Sequence, residues 1–383
     1  MEGPTVTVDL AALRHNLGVL RARLQPGVRL LAALKADAYG HGASVLAPAL
    51  ERAGADAFGV ATAAEALALR ACGVTRPILL FTPLRQHLAE LVDARVELTV
   101  ADRSDLAAIE AAAPAAPARV HVKLDSGMGR LGGPPEEALA LVTAVERSRH
   151  ARLEALWTHL ARADEPDVSL ADGFTARQLD RFEAALAAVR AAGVEIRSAH
   201  AANSAACLWL PRAHYDMVRP GLALYGHQAN PAAEALMPPG IPALRPVATL
   251  QAPVIFVKRA VRGSPVSYGA TYRAPRDTVI ATVQLGYADG YPRAAGNRAH
   301  ALVHGQRVNV VGRVCMDQLM LDVGSLADSV TVGDAVTFLG PDGPSIADLA
   351  ARLGTVSYEL LTHLSAPRLA REYVGGEARE RAA

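Results

Sequence analysis

Lysine is scarce in this chain: of 39 basic residues only Lys35, Lys123 and Lys258 are lysines, and the others are arginine. Arginine stays protonated in proteins, whereas a lysine amine can release its proton and act as a base or form an imine. Lys35 ends an apolar run in "LAALKADAYGHG" and is followed by a tyrosine, glycines and a histidine. Lys123 and Asp125 open "KLDSGMGRLG", which also carries Arg130. His159 sits in "WTHL", His200, Asn203 and Ser204 in "HAANSAA", and Arg219 just before "PGLALYG". Bases, permanent cations and glycine turns of this kind suit proton transfer on an anionic ligand.

Residues so far apart in sequence need a scaffold that gathers them. Up to about residue 226, short apolar or β-branched runs alternate with Ala/Leu/Arg/Glu stretches of helical period. Strands are expected at 29–35, 57–61, 77–81, 96–100, 119–125, 152–159, 196–201 and 215–219, and the clearest helices at 11–24, 63–72, 135–147 and 172–192. Gly73 and Gly193 stand where helix-ending glycines belong. Eight strands separated by helices predict parallel pairing in a (β/α)8 TIM-type barrel, spanning residues 1–238. The short "VTV" near the N-terminus is left over and is expected to pair with the other domain. After the proline-rich "NPAAEALMPPGIPALRP" the runs become strand-like with glycine turns, as in "TVIATVQLGY" and "HALVHGQRVNVVG". A second, mainly β domain is expected over 239–383.

In such a barrel the active site lies at the C-terminal ends of the strands. Lys35 ends the first strand, Lys123 and Asp125 the fifth, His159 the sixth and Arg219 the eighth, with His200, Asn203 and Ser204 following the seventh. Each has a plainer explanation: a solvated lysine, a structural histidine, an arginine paired with a neighbour, or an N-cap for "SAACLWL" at Asn203 and Ser204. The cap does not exclude function, because free N–H groups at a helix start bind phosphate. The glycine turn of "RPGLALYG" lies near the same rim, so a phosphate fits between the last two strand ends. A lysine able to become neutral, a phosphate seat and arginines for a carboxylate suggest pyridoxal phosphate and an amino-acid substrate.

The composition narrows the class. A net charge of +1 and 4% aromatic residues disfavour nucleic-acid binding. No run of 18 apolar residues suggests a membrane span. The opening "MEGPTVTVDL" has an acid where a signal peptide has basic residues and no apolar stretch after it, so a cytoplasmic location is expected. Cys72, Cys207 and Cys315 lack the spacing of a disulfide framework or a zinc site, and no metal is expected.

At "KADAYGHG" the sequence resembles the pyridoxal-phosphate attachment motif of alanine racemases. The likeness extends in order through "VKLDSGMGRLG", "WTHLARADE", "HAANSAA", "MVRPGLALYG", "VSYGATYRA", "LGYADGY", "GRVCMDQLMLDV" and "SYELLTHLS". The resemblance implies a (β/α)8 barrel followed by a β domain. It also implies a head-to-tail homodimer in which the β domain completes the partner's active site, and interconversion of L- and D-alanine that supplies D-alanine for peptidoglycan. By this likeness Lys35 is the Schiff-base lysine and the base for the D enantiomer, and Tyr268 is the opposing base for the L enantiomer. His159 assists Tyr268, Arg219 donates to the cofactor's ring nitrogen, and Arg130 meets its phenolic oxygen and the substrate carboxylate. Lys123 matches a lysine often carried as a carbamate. Tyr39, Asn203, Ser204, Tyr358 and the backbone of Gly221 and Leu222 belong to the cofactor seat. Met316 meets the substrate carboxylate, and Tyr287 and Asp317 narrow the entrance.

Two rivals share parts of this pattern. A barrel decarboxylase of ornithine or diaminopimelate typically uses a glycine-triplet phosphate loop, whereas "LGGPP" lacks the third glycine. A non-enzymatic pyridoxal-phosphate carrier usually lacks the β domain in which Tyr268 lies. A racemase acting on serine or larger amino acids stays open.

Overall fold

The structure, a computed structural model, describes residues 2–165, 168, 170–228 and 239–376. Eight parallel strands form the first sheet: β2 (Arg29–Ala33), β3 (Ala57–Val60), β4 (Ile78–Leu80), β5 (Val96–Val100), β6 (Ala118–Lys123), β7 (Ala151–Trp157), β8 (Ser198–His200) and β9 (Met217–Val218). They pair in the order β8-β7-β6-β5-β4-β3-β2-β9. The ring closes between its ends through Asp216 N–H to Ala199 O at 3.0 Å and Arg219 N–H to Ala202 O at 2.9 Å. All eight expected strands are present, with the short last pair held as much by these bonds as by a regular ladder.

The strands read as continuous apolar runs because helices cover their outer faces while side chains fill the barrel. Phe58, Leu80, Val100, Val122 and Leu156 are fully buried. Helices begin where caps satisfy the first backbone N–H groups. Asp9 caps Leu10–Arg21, Thr62 and Glu65 form a capping box on Ala63–Ala71, and Asp102 and Asp105 do the same for Arg103–Ala112.

The leftover N-terminal strand, β1 (Thr5–Asp9), lies outside this barrel. It pairs antiparallel with β10 (Ala248–Ala260) and parallel with β18 (Ala370–Val374). The long β10 also pairs with β13 (Thr278–Val283) and β17 (Ala335–Leu339), and β14 (His300–Val303), β15 (Gln306–Val310) and β16 (Leu319–Asp322) complete a closed antiparallel ring, while the short β11 (Pro265–Val266) and β12 (Tyr272–Arg273) pair with each other. A bulge between Val254 and Phe256 bends β10 so that one strand serves several neighbours. The proline-rich stretch read as a linker lies partly outside the described residues. Among the described residues no helix is long and apolar enough to cross a membrane.

Candidate active site

Lys35 stands two residues beyond β2, placed by an uncommon turn. Ala36, Asp37, Ala38 and Tyr39 have φ of 52°, 52°, 55° and 55°. Ala38 N–H donates to Leu34 O at 2.8 Å and Gly40 N–H to Ala36 O at 2.9 Å, making one turn of left-handed helix. Each such L-residue costs on the order of 1–2 kcal/mol. The surroundings hold the turn: Ala36 N–H donates to Glu65 Oε1 at 2.6 Å, Ala43 N–H to Asp37 Oδ1 at 2.7 Å, and Arg371 pairs with Asp37 Oδ2 at 2.9 Å. The turn directs Tyr39 inward, where its ring lies 4.9 Å from that of Tyr225, which stacks on His41 at 4.5 Å. A Cβ at Gly221 would sit 2.5 Å from Tyr39 Oη, so only glycine permits this approach.

The other strand ends converge on the same cavity, about 670 Å³ in volume and within the range of small-molecule sites. Lys35, Tyr39, Lys123, Arg130, His159 and Arg219 line it, as do Asn203, Ser204, Gly221, Leu222 and Tyr358. Asn203 caps Ser204–Trp209, accepting from Ala206 N–H at 3.1 Å. Ser204 Oγ accepts from Gly221 N–H at 2.9 Å and Ala223 N–H at 3.2 Å, joining the helix start to the glycine turn. The seat expected between the last two strand ends is therefore a connected polar surface. Gly221 N–H points at Ser204 rather than into open space. Tyr358 comes from the helix Ser357–Thr362 of the second domain, its ring 6.0 Å from that of Tyr39.

Arg219 is the most constrained of the set. Nη1 donates to His200 Nδ1 at 2.8 Å, and Nη2 donates to Thr158 O at 2.8 Å and Ala201 O at 3.1 Å while lying 3.3 Å from His159 Nδ1. Lys123 Nζ lies 3.6 Å from the centroid of the Trp157 ring, and the Arg219 guanidinium 4.9 Å from it. The sequence reading missed Trp157. Its only signal is its place as the last residue of a buried strand, two residues before His159.

Burial and mutual repulsion among these cations set the protonation. Burial, then Arg219 and Arg130, push the Lys123 amine well below its ordinary value, against a smaller pull from Asp125. Burial and Arg130 lower Lys35, opposed by Glu65. His159 falls well below its usual range through burial and the charges of Arg219 and Lys123. Burial also lowers Arg219, to about 9. Two lysines are thus biased toward the neutral amine in a cavity that invites anions. A phosphorylated aldehyde fits this donor set: a neutral amine to attach it, a glycine cradle under Tyr39, and arginine and lysine nitrogens for its oxygens.

Asp125 and His200 lie outside this cavity's lining, as do four residues implied by the family likeness, Tyr268, Tyr287, Met316 and Asp317. Tyr268 is 71% exposed on the second domain. Its neighbour Ser267 has φ of 64° and donates from Oγ to Arg313 O at 2.6 Å. Tyr287 N–H donates to Cys315 O at 3.0 Å and Ala288 N–H to Met316 O at 3.0 Å, which brings Tyr287, Met316 and Asp317 together. Arg368 ties Asp317, at 2.6 Å, to buried Asp289, at 3.0 Å. The β domain therefore presents a second, outward-facing cluster.

Known proteins share this two-domain architecture. The model of the alanine racemase N-terminal domain matches residues 8–229, and that of the alanine racemase C-terminal domain residues 247–373. An alanine racemase of Desulfovibrio desulfuricans is 42% identical, over 96% of this chain and 97% of that protein. One from Chlorobaculum tepidum is 41% identical, over 95% and 94%. The crystal structure of alanine racemase from D-cycloserine-producing Streptomyces lavendulae superposes with a TM-score of 0.89 at 37% identity, covering 99% of this chain and 98% of that one. That of the Bacillus anthracis enzyme with bound L-Ala-P gives 0.89 at 33% identity, covering 97% and 96%. With both domains matched and a cavity lined by residues from both, the chain belongs to the alanine racemase family.

Proposed function

We propose that this chain is a cytoplasmic enzyme that interconverts L- and D-alanine with pyridoxal phosphate, supplying D-alanine for peptidoglycan. The observation that carries the reading is the pairing of two deprotonation-prone lysines, Lys123 buried and Lys35 half-buried, with a fixed guanidinium in one cavity. Bound there, the cofactor supplies an electron sink that makes the α-proton of an amino acid removable. Lys35 would hold the cofactor through Nζ, and its amine would take or return the α-proton on one face. Its lowered proton affinity suits a base near neutral pH.

Arg219 would donate to the ring nitrogen. Being a donor that keeps its own proton, it would leave that nitrogen unprotonated and limit the sink, favouring return of the proton over transamination. Arg130 holds the substrate carboxylate. Lys123, neutral and stacked on Trp157, takes up carbon dioxide with loss of a proton, and the resulting carbamate orients Arg130. Tyr39, Ser204, Tyr358 and the Gly221–Leu222 backbone would seat the phosphate, with Gly221 N–H turning from Ser204 Oγ to the anion.

Racemisation needs a second base on the opposite face. Tyr268 is exposed and does not line its own chain's cavity, so the reading requires a head-to-tail homodimer in which Tyr268, Met316, Tyr287 and Asp317 enter the partner's site and His159 steadies the incoming phenol. The test is purified protein with pyridoxal phosphate given single enantiomers of alanine and serine, followed by chiral analysis. The mirror image of alanine is expected. Carbon dioxide release in its place would overturn the reading.

A further inference from the structure

The interior of such a barrel is ordinarily packed with branched apolar side chains. Here a file of polar groups runs through it. Arg219 Nη1 lies 2.8 Å from His200 Nδ1, His200 Nε2 lies 2.9 Å from His121 Nδ1, and His121 Nε2 lies 2.9 Å from Glu97 Oε2. All four residues are buried, with exposures of 5%, 0%, 3% and 5% from Arg219 to Glu97. The strands set the climb: Glu97 is near the start of β5, His121 further along β6, His200 at the end of β8, and Arg219 just past β9. At the lower end Arg119, half exposed, reaches Glu97 Oε1 at 2.7 Å and Glu154 Oε1 at 3.1 Å.

The two ends fix the direction of every proton between them. A guanidinium only donates, so His200 Nδ1 must accept and its proton sits on Nε2. That proton points at His121 Nδ1, which must also accept, so His121 carries its own proton on Nε2. A carboxylate only accepts, and Glu97 receives it. Protonating either imidazole, or reversing its tautomer, would set two N–H groups against each other. The electrostatics agree: burial and then Arg219 keep His200 neutral. Burial raises the Glu97 carboxyl, but the His121 hydrogen bond and the charges of Arg119 and Arg29 outweigh it and leave it below its ordinary value. A carboxylate set directly against Arg219 would compete with a ligand for its N–H groups. Two imidazoles move the countercharge away and keep the alignment.

We propose that Glu97 and His121 are positioning residues for Arg219, acting through His200 as a one-way chain of donors that ends on a carboxylate and holds the guanidinium in one orientation at the cavity floor. The proposal rests on Arg219 being the donor to the cofactor's ring nitrogen, as read above. Its test uses Glu97→Gln, with Glu154→Gln as the variant that alters the lower rim and leaves the chain intact.

In cofactor-free protein labelled with ¹⁵N-histidine, wild type should give two neutral imidazoles, each protonated at Nε2. Glu97→Gln, whose amide can donate as well as accept, should lose the single tautomer at His121. Acidifying wild type through the Glu97 titration should move the same resonances, which covers the case of a variant that fails to fold. In the holoenzyme, Glu97→Gln should lower kcat about tenfold with KM for alanine nearly unchanged, the factor carried by one pKa unit of charge stabilisation. It should also shift the resting cofactor absorption, and Glu154→Gln should change none of these. Unmoved histidine resonances, or moved resonances with unchanged kcat and absorption, would overturn the proposal. Wild type that does not racemise alanine refutes the function and not the chain, which the cofactor-free spectra then decide.

Discussion

The left-handed turn after Lys35 makes a prediction opposite in sign to the usual rule. Replacing alanine by glycine in an ordinary helix costs about 1 kcal/mol, and Ala107→Gly, exposed in the helix Arg103–Ala112, should show that loss. Ala36 is equally exposed, but its φ is +52°. Glycine there relieves about 1–2 kcal/mol of left-handed strain and gives back about 0.5–1 kcal/mol in unfolded-chain entropy. Ala36→Gly should therefore stabilise by roughly 0.5–1 kcal/mol. Ala38 shares the strain at φ +55°, but its methyl is fully buried. Losing that contact costs about 0.8 kcal/mol, so Ala38→Gly should come out near neutral. Thermal unfolding of the cofactor-free protein reads all three, with Ala36→Gly raising the midpoint by about 1 °C. A drop for Ala36→Gly as large as that for Ala107→Gly would refute the claim that the turn is strained. Because the turn aims Lys35 and Tyr39, relaxing it should also lower kcat while stability rises.

Lys123 has its proton affinity depressed from 10.5 in the folded state, so over the interval up to that value the unfolded chain binds the extra proton and stability rises with pH. Lys123→Met should flatten this rise, measured as the urea midpoint of cofactor-free, bicarbonate-free protein against pH; an unchanged slope would contradict a neutral buried amine. Lys35→Ala should lose the visible absorbance of lysine-bound cofactor, and persistence of that band would move the attachment site elsewhere. Tyr268→Phe should slow isotope washout from L-alanine more than from D-alanine, and equal losses would remove its assignment as one of two opposed bases. Refolding Lys35→Ala together with Tyr268→Phe should restore about a quarter of wild-type activity, since half the dimers are hybrid and each hybrid holds one intact site of two. A mixture as inactive as its parts would rule out a shared site.

Much of this was legible because it rests on local pattern. The eight barrel strands lie within a few residues of their expected places, since buried parallel strands announce themselves as short apolar runs between helical periods. The strand-end rule then put Lys35, Lys123, His159 and Arg219 on one rim. What stayed hidden depends on tertiary packing. Nothing in "KADAYG" signals four left-handed residues, because their cost is met by Glu65, Arg371 and the Tyr39–Tyr225 contact, all remote in sequence. Glu97 and His121 read from the sequence as ordinary strand residues. One clue was available: His121 is two residues from Lys123 in β6, so the pleat turns both into the barrel. A glutamate inside "VELTV" was the other, for a charge in a buried strand requires a partner.

The choice between lysine and arginine follows the same physics. Lys35 and Lys123 occupy places where burial and neighbouring arginines make the uncharged amine the easier state, while Lys258 is exposed on β10. Arg219, more buried than Lys35, is the position where loss of the proton would reverse the donor chain down to Glu97, and a guanidinium resists that loss best. Lys35→Arg keeps the charge and removes the chemistry. Arg219→Lys keeps the charge at first, but it offers a compact ammonium whose proton affinity falls when buried, in place of a planar fork that reaches His200, Thr158 O and Ala201 O together. A lysine at 219 would therefore lose both its orientation and its hold on the proton, and the histidine file beneath it would no longer have a donor-only end to fix its direction.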